Sequence, residues 1–171
     1  RAFAAPFGFD RFVLFSASAA AEAGIEHIYW VEGDWFGDGE AVDALTYVRH
    51  CPVTRHMLRV SEPFFWTKTR AQQGERYRIV RTPRGAGLHG VQIPVFGPAG
   101  LEGAVSLGGE RIDASPPARL ALSLVGTAAF QAARRLFAPA AGEGESRLSA
   151  REREVLSWTA IGRRQADIAA M

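Results

Sequence analysis

The sequence predicts an α+β chain: an α-β-α sandwich around a central antiparallel sheet, followed by a linker and a short all-helical piece. Three observations lead there. Two β-rich runs, residues 91–96 and 104–107, flank Gly97-Pro98-Ala99-Gly100, the strongest hairpin signal in the chain. Strands joined by a tight turn are antiparallel, and their apolar faces need helices to cover them. A long Ala-rich segment, residues 116–137, then precedes a Gly/Ala/Glu-rich stretch and a second helical pattern.

Taken in order, residues 10–23 read as a helix, with Phe12, Phe15 and Ala19 on one face and Gly24 stopping it. Residues 27–32 (HIYWVE) are a strand rich in β-formers. Residues 33–39 hold glycines and aspartates and read as a turn. Residues 40–50 fit a helix carrying Val42, Leu45 and Tyr47. Pro52 suits the first turn of another helix, reaching about Val60. Pro63-Phe64-Phe65-Trp66 enters an extended segment. Residues 72–81 read as a helix broken by residues 83–87. The two strands of the hairpin follow. The segment 116–137 is a helix with apolar residues on more than one face: Leu120, Leu122, Leu124, Val125, Phe130, Leu136 and Phe137. Such a helix needs a second burial surface besides the sheet, and a symmetric homodimer supplies one; burial of both faces within one subunit is the alternative.

The expected division is a sensing domain at 1–137, a linker at 138–147 and a helical piece at 148–171. With 171 residues and a hydrophobic fraction of 47%, the chain can bury a substantial core, which excludes disorder. Twenty basic and eighteen acidic residues leave a net charge of +2, so no strong polyanion field is implied overall. The basic excess is local, at Arg134–Arg135 and Arg163–Arg164. The single cysteine, Cys51, excludes an intramolecular disulfide and fits a cytoplasmic location. No apolar run approaches the roughly 20 residues that span a bilayer. The opening residue is Arg1, from which a missing N-terminus is expected.

The C-terminal stretch LSAREREVLSWTAIGRRQADIAAM is specific. Ser149 and Glu152 form a capping box, Val155, Leu156 and Thr159 share a face, and Gly162 ends the run. Leu148, Ser149, Arg151, Glu152, Glu154, Val155, Leu156, Trp158, Ala160, Gly162, Ile168 and Ala169 resemble the first half of a LuxR-type helix-turn-helix. The resemblance implies DNA contacts from Arg163, Arg164 and Gln165. These residues stop before a base-reading helix, so specific DNA binding is expected of the full-length protein and not of these 171 residues.

Upstream, Tyr47-x3-Cys51-Pro52-Val53-x9-Pro63-Phe64-Phe65-Trp66 is similar to the Y-x3-D-P-V-x9-P-F-x-W pattern of LuxR-type quorum-sensing regulators. Gly90-Val-Gln-Ile-Pro94-Val-x-Gly97-x2-Gly100-x2-Gly103-Ala104-x-Ser106-Leu107 resembles their strand-turn-strand block. The resemblance implies an autoinducer-binding domain that holds an N-acyl-homoserine lactone, or a related small signal, between the sheet and one helical layer. It implies no cofactor or metal, no catalysis, and dimerisation. Trp66 matches the Trp whose indole N–H meets the lactone carbonyl; the other reading is a core Trp. Ser106 matches a position whose hydroxyl contacts the acyl amide carbonyl in some members, though any inward Ser needs a partner. Gln92 and Ala104 fall at pocket-facing strand positions, with a solvent-facing Gln92 as the alternative. Tyr47, Val53 and Phe65 belong to the pocket pattern or to plain core.

Two departures stand out. Cys51 replaces the family Asp whose carboxylate accepts the ligand amide N–H, and a thiol is a weak acceptor. The stretch from residue 32 to Tyr47 is short. Trp35 can stand in for the family's second Trp, at a spacing a few residues too long. A regulator that senses a different small molecule, or one that works ligand-free through protein contacts, therefore stays open. His50, Cys51 and His56 lack the paired spacing of a structural zinc site, and no acid–base or nucleophile constellation supports an enzyme.

Overall fold

The computed structural model describes residues 1–17, 25–36, 47, 53–57, 59–71, 74–97, 100–137, 149–160, 162 and 166. The chain forms two compact units, Arg1–Phe137 and Ala138–Met171.

Among the described residues the first unit has six strands: β1 (Arg11–Ala17), β2 (Ile25–Glu32), β3 (Phe64–Ala71), β4 (Gly74–Val80), β5 (Leu88–Gly97) and β6 (Gly100–Gly109). Their spatial order is β2-β1-β6-β5-β3-β4, with every pairing antiparallel. The hairpin expected at residues 97–100 joins β5 to β6. Gly97 pairs with Gly100, whose φ of 106° favours glycine. Residues 98–99 lie outside the described residues.

Two expected helices are strands. Residues 11–17 form β1, paired with β2 on one side and β6 on the other. Phe12 and Phe15 do sit at helical spacing, but Val13, Phe15 and Ala17 face one side of the sheet, while Phe12 and Leu14 pack against the other. Period-two burial with partners on both flanks outweighs a loose 3.6-residue match. Residues 18–24 of the expected helix lie outside the described residues. Residues 74–80 are β4, the return strand of a hairpin closed by Ala71 and Gly74. Tyr77 packs on one face and Val80 on the other, the alternation that the helical reading overlooked.

Helices complete the outer layers. Between β2 and β3, α1 spans Val53–Met57, shorter than the stretch 52–60 expected, and Tyr47 is helical; the rest of 40–50 lies outside the described residues. The helix α2 spans Pro116–Phe137, the range expected. Ser115 caps it by accepting the Ala118 N–H at 3.3 Å, and Asp113 accepts the Ser115 N–H at 2.8 Å. Ala118, Leu122, Gly126 and Phe130 recur every four residues and face inward. Leu122 and Phe130 join Val91, Ile93, Val95, Val105 and Leu107 in one core of the domain, and Gly126 lies against Ile93 and Val105. Glu102 on β6 pairs with Arg134 in the last turn of α2. On the other face a second core gathers Val13, Phe15, Val53, Met57, Trp66 and Ala104. The result is helix, sheet, helix in three layers.

In the second unit, α3 spans Ala150–Ala160. Ser149 accepts the Glu152 N–H at 3.2 Å and donates its own N–H to Glu152 Oε2 at 2.6 Å, closing the expected capping box. Gly162, with φ of 81°, follows the helix. Arg163, Arg164 and Gln165 lie outside the described residues. No described helix is long and apolar enough to cross a membrane.

Candidate functional site

The face of the sheet beneath α1 carries the polar chemistry. Strand alternation sends Trp66 of β3, Gln92 of β5, and Ala104 and Ser106 of β6 to this side. Gln92 and Ser106 are register partners on neighbouring strands, and Trp66 stands one diagonal step from Gln92. All four are buried. A Cβ on Gly90, opposite Trp66, would collide with the indole, so glycine there lets the ring lie on the sheet.

Aromatic rings build the wall. Trp35 meets Tyr47 edge-on at 5.4 Å and Trp66 at 6.2 Å, and Tyr77 lies 5.9 Å from Trp66. The turn that carries Trp35 is pinned twice: its indole N–H donates to the Glu32 carbonyl at 3.0 Å, and its own carbonyl accepts from Lys68 Nζ at 3.0 Å. Lys68 is buried and lies 4.8 Å from the Phe36 ring centroid and 5.7 Å from that of Tyr77. Trp35, Phe36, Tyr47, Val53, Trp66 and Tyr77 enclose a cavity of about 10 Å³, the space of one water.

Three buried side-chain atoms have no hydrogen-bond partner among the described residues: Trp66 Nε1, Gln92 Oε1 and Ser106 Oγ. All three belong to this one face. Buried polar atoms are almost always paired, because an unmade bond costs about 1–3 kcal/mol. Gln92 satisfies only its amide nitrogen, which donates to Met57 Sδ at 3.4 Å.

The geometry thus gathers Trp35, Tyr47, Val53, Trp66, Gln92, Ala104 and Ser106 from the expected set. Phe65 is a correction. Its neighbour Trp66 faces the site, so Phe65 points through the sheet into the α2-side core with Val91 and Ile93. Cys51 and His50 lie outside the described residues. His56 packs edge-on to Phe64 at 4.8 Å. Met57, Lys68 and Tyr77 were missed from sequence. For Lys68 the signal was available: it stands two residues after Trp66 on a strand, hence on the same face.

A larger cavity, about 460 Å³, opens on the opposite face between α2, β1 and β6. Phe3, Leu14, Trp30, Val125, Leu136 and Phe137 are among its walls, and none of the three unpartnered atoms reaches it. Size alone would favour it, yet its walls are apolar apart from Arg1 and Trp30, whose polar ends are both engaged with Glu32.

The described residues thus form a three-layer domain in which two possible donors and one acceptor without partners lie buried beneath aromatic rings. The autoinducer-binding domain family matches residues 1–133, and the chain belongs to that family. It is similar to the transcriptional activator protein BjaR1 of Bradyrhizobium diazoefficiens, with 34% identity over 121 residues, covering 68% of this chain and 50% of that protein. It is also similar to the HTH-type quorum sensing-dependent transcriptional regulator RpaR of Rhodopseudomonas palustris, with 30% identity over 168 residues, covering 91% of this chain and 65% of that protein. The chain therefore spans half the length of the first relative and under two thirds of the second. Both relatives are named as regulators of transcription, not as enzymes.

Proposed function

We propose that this chain is the sensing part of a LuxR-type transcriptional regulator that responds to an N-acyl-homoserine lactone or a closely related signal. The observation that carries the reading is the trio of buried, unpartnered atoms on Trp66, Gln92 and Ser106. Trp66 Nε1 donates to the ring carbonyl, and Ser106 Oγ donates to the acyl carbonyl. Trp35, Tyr47, Val53 and Ala104 supply apolar contact. Because the enclosed space is only about 10 Å³, the ligand must part the aromatic rings from α1. Binding is then coupled to a rearrangement of that layer, and the ligand stabilises the arrangement it fits.

The small cavity favours a second reading, a ligand-free module with a filled core. The three unpaired atoms weigh against it, since a permanently sealed core would carry their cost with no return. Incubation with a panel of acyl-homoserine lactones, read by thermal unfolding, separates the two. A saturable rise in Tm that Trp66→Phe abolishes supports the lactone site. No shift with any lactone in both proteins removes it.

The same regulator acts as a homodimer in the cytoplasm, and in the full-length protein it binds DNA with Arg163, Arg164 and Gln165 near the phosphates. Support for the dimer comes from α2, whose outward Leu120 and Leu124 are 64% and 66% exposed.

A further inference from the structure

We propose that Gln92 accepts the ligand's amide N–H, taking over the task of the carboxylate that is absent at position 51. This assignment rests on the lactone reading above and sharpens it. Gln92 is 1% exposed, in the middle of β5. Its side chain has a definite sense. The only hydrogen-bond partner it has among the described residues is Met57 Sδ, and a thioether has no hydrogen to give. The NH₂ end therefore turns to Met57, and Oε1 is left as an acceptor facing the site. Its two companions are of the other kind. Trp66 Nε1 can only donate, and the Ser106 hydroxyl can donate.

Two donors and one acceptor call for a ligand with two acceptors and one donor. An N-acylated amine on a lactone has that set: a ring carbonyl, an acyl carbonyl and one N–H between them. An ester in place of the amide keeps both carbonyls and loses the donor. The spacing also suits one compact head group. Side chains of register partners start about 4.5–5.5 Å apart and diagonal neighbours about 7–8 Å, so Ser106, Gln92 and Trp66 lie within reach of a single acylated lactone. Cys51 offers only a weak acceptor in comparison.

The test pairs N-acyl-homoserine lactones of four-, six- and eight-carbon chains with their ester counterparts, in which oxygen replaces the amide N–H. Titration calorimetry on the whole chain reads both affinities. The native protein should prefer amide to ester by about tenfold or more. Gln92→Leu should bring the amide down to the ester's affinity and leave the ester within about twofold, with an unchanged or higher Tm without ligand. Should Gln92→Leu fail to melt cooperatively, Gln92→Met makes the same comparison with an unbranched side chain. Cys51→Asp in the Gln92→Leu background should restore the amide preference. A Gln92→Leu protein that still prefers the amide by the native ratio overturns the assignment and leaves the lactone site standing. Equal native affinity for amide and ester does the same. A native protein that binds none of the probes overturns the lactone reading, and the assignment falls with it.

Discussion

Replacing Ser106 by Ala should make the ligand-free protein more stable and its ligand complex weaker. The hydroxyl is 1% exposed and has no partner among the described residues. Its neighbours on the same face are the Val13 and Gln92 positions opposite it. Deleting one oxygen leaves the backbone untouched and relieves a desolvated group that costs about 1–3 kcal/mol. For a domain of this size that corresponds to a Tm higher by about 3–8 °C. In the complex the sign reverses. A neutral hydrogen bond to the acyl carbonyl contributes about 0.5–1.5 kcal/mol, so affinity should fall by about 2- to 12-fold. Circular dichroism melts without ligand, followed by lactone titrations, read both effects. The reasoning fails if Ser106→Ala melts below the native protein, because the hydroxyl would then have a stabilising partner. It fails equally if lactone affinity is unchanged.

Other substitutions probe the rest of the frame. Cys51→Asp alone should tighten lactone binding only on the order of fivefold, because a charged acceptor then competes with Gln92 for the single amide N–H instead of adding a second bond; weaker binding in titrations would show that Cys51 has its own role. Leu120→Glu and Leu124→Glu should convert a dimer to monomer in light scattering with melting little changed, whereas Phe130→Ala, fully buried against the sheet, should cost about 3–5 kcal/mol in denaturant unfolding. A monomeric native protein at micromolar concentration would count against the dimer. Gly90→Ala should push the Trp66 indole off the sheet, seen as altered Trp fluorescence and lost lactone binding; a native spectrum would contradict the close contact. Asp113 lies below the usual carboxylate range, first because it accepts the Ser115 N–H and then through the Ser115 hydroxyl. A depressed folded pKa means its contribution is present above the unfolded value near 3.8 and lost as pH falls through the folded one. Asp113→Asn should therefore flatten the acid limb of stability below about pH 4, and an unaltered limb would exclude the cap as its source.

Sequence by itself determined the elements with strong local chemistry. The Gly97–Gly100 hairpin is set by turn residues, α2 by its Pro start and long Ala-rich run, and the Ser149–Glu152 box by two side chains three residues apart; which face of α2 turns inward was not legible, since Leu120 and Leu124 share a face and, like Leu136, are exposed while Ala118, Leu122, Gly126 and Phe130 are buried. The family resemblance, not periodicity, singled out Trp66, Gln92 and Ser106, and the register then shows that they share one face of the sheet. Tertiary structure decided the rest. Residues 11–17 and 74–80 carry patterns compatible with either helix or strand, and pairing with β2, β6 and β3 chose strand. One peptide unit separates Phe65 from Trp66, yet they serve opposite cores, since a strand inverts its side chains at every residue. Lys68 under the Trp35 turn, and Gln92 turned toward Met57, depend on contacts 33 and 35 residues apart in the chain. Such contacts exist only after the layers close, because hydrogen-bond partners and packing neighbours are chosen by space and not by position along the chain.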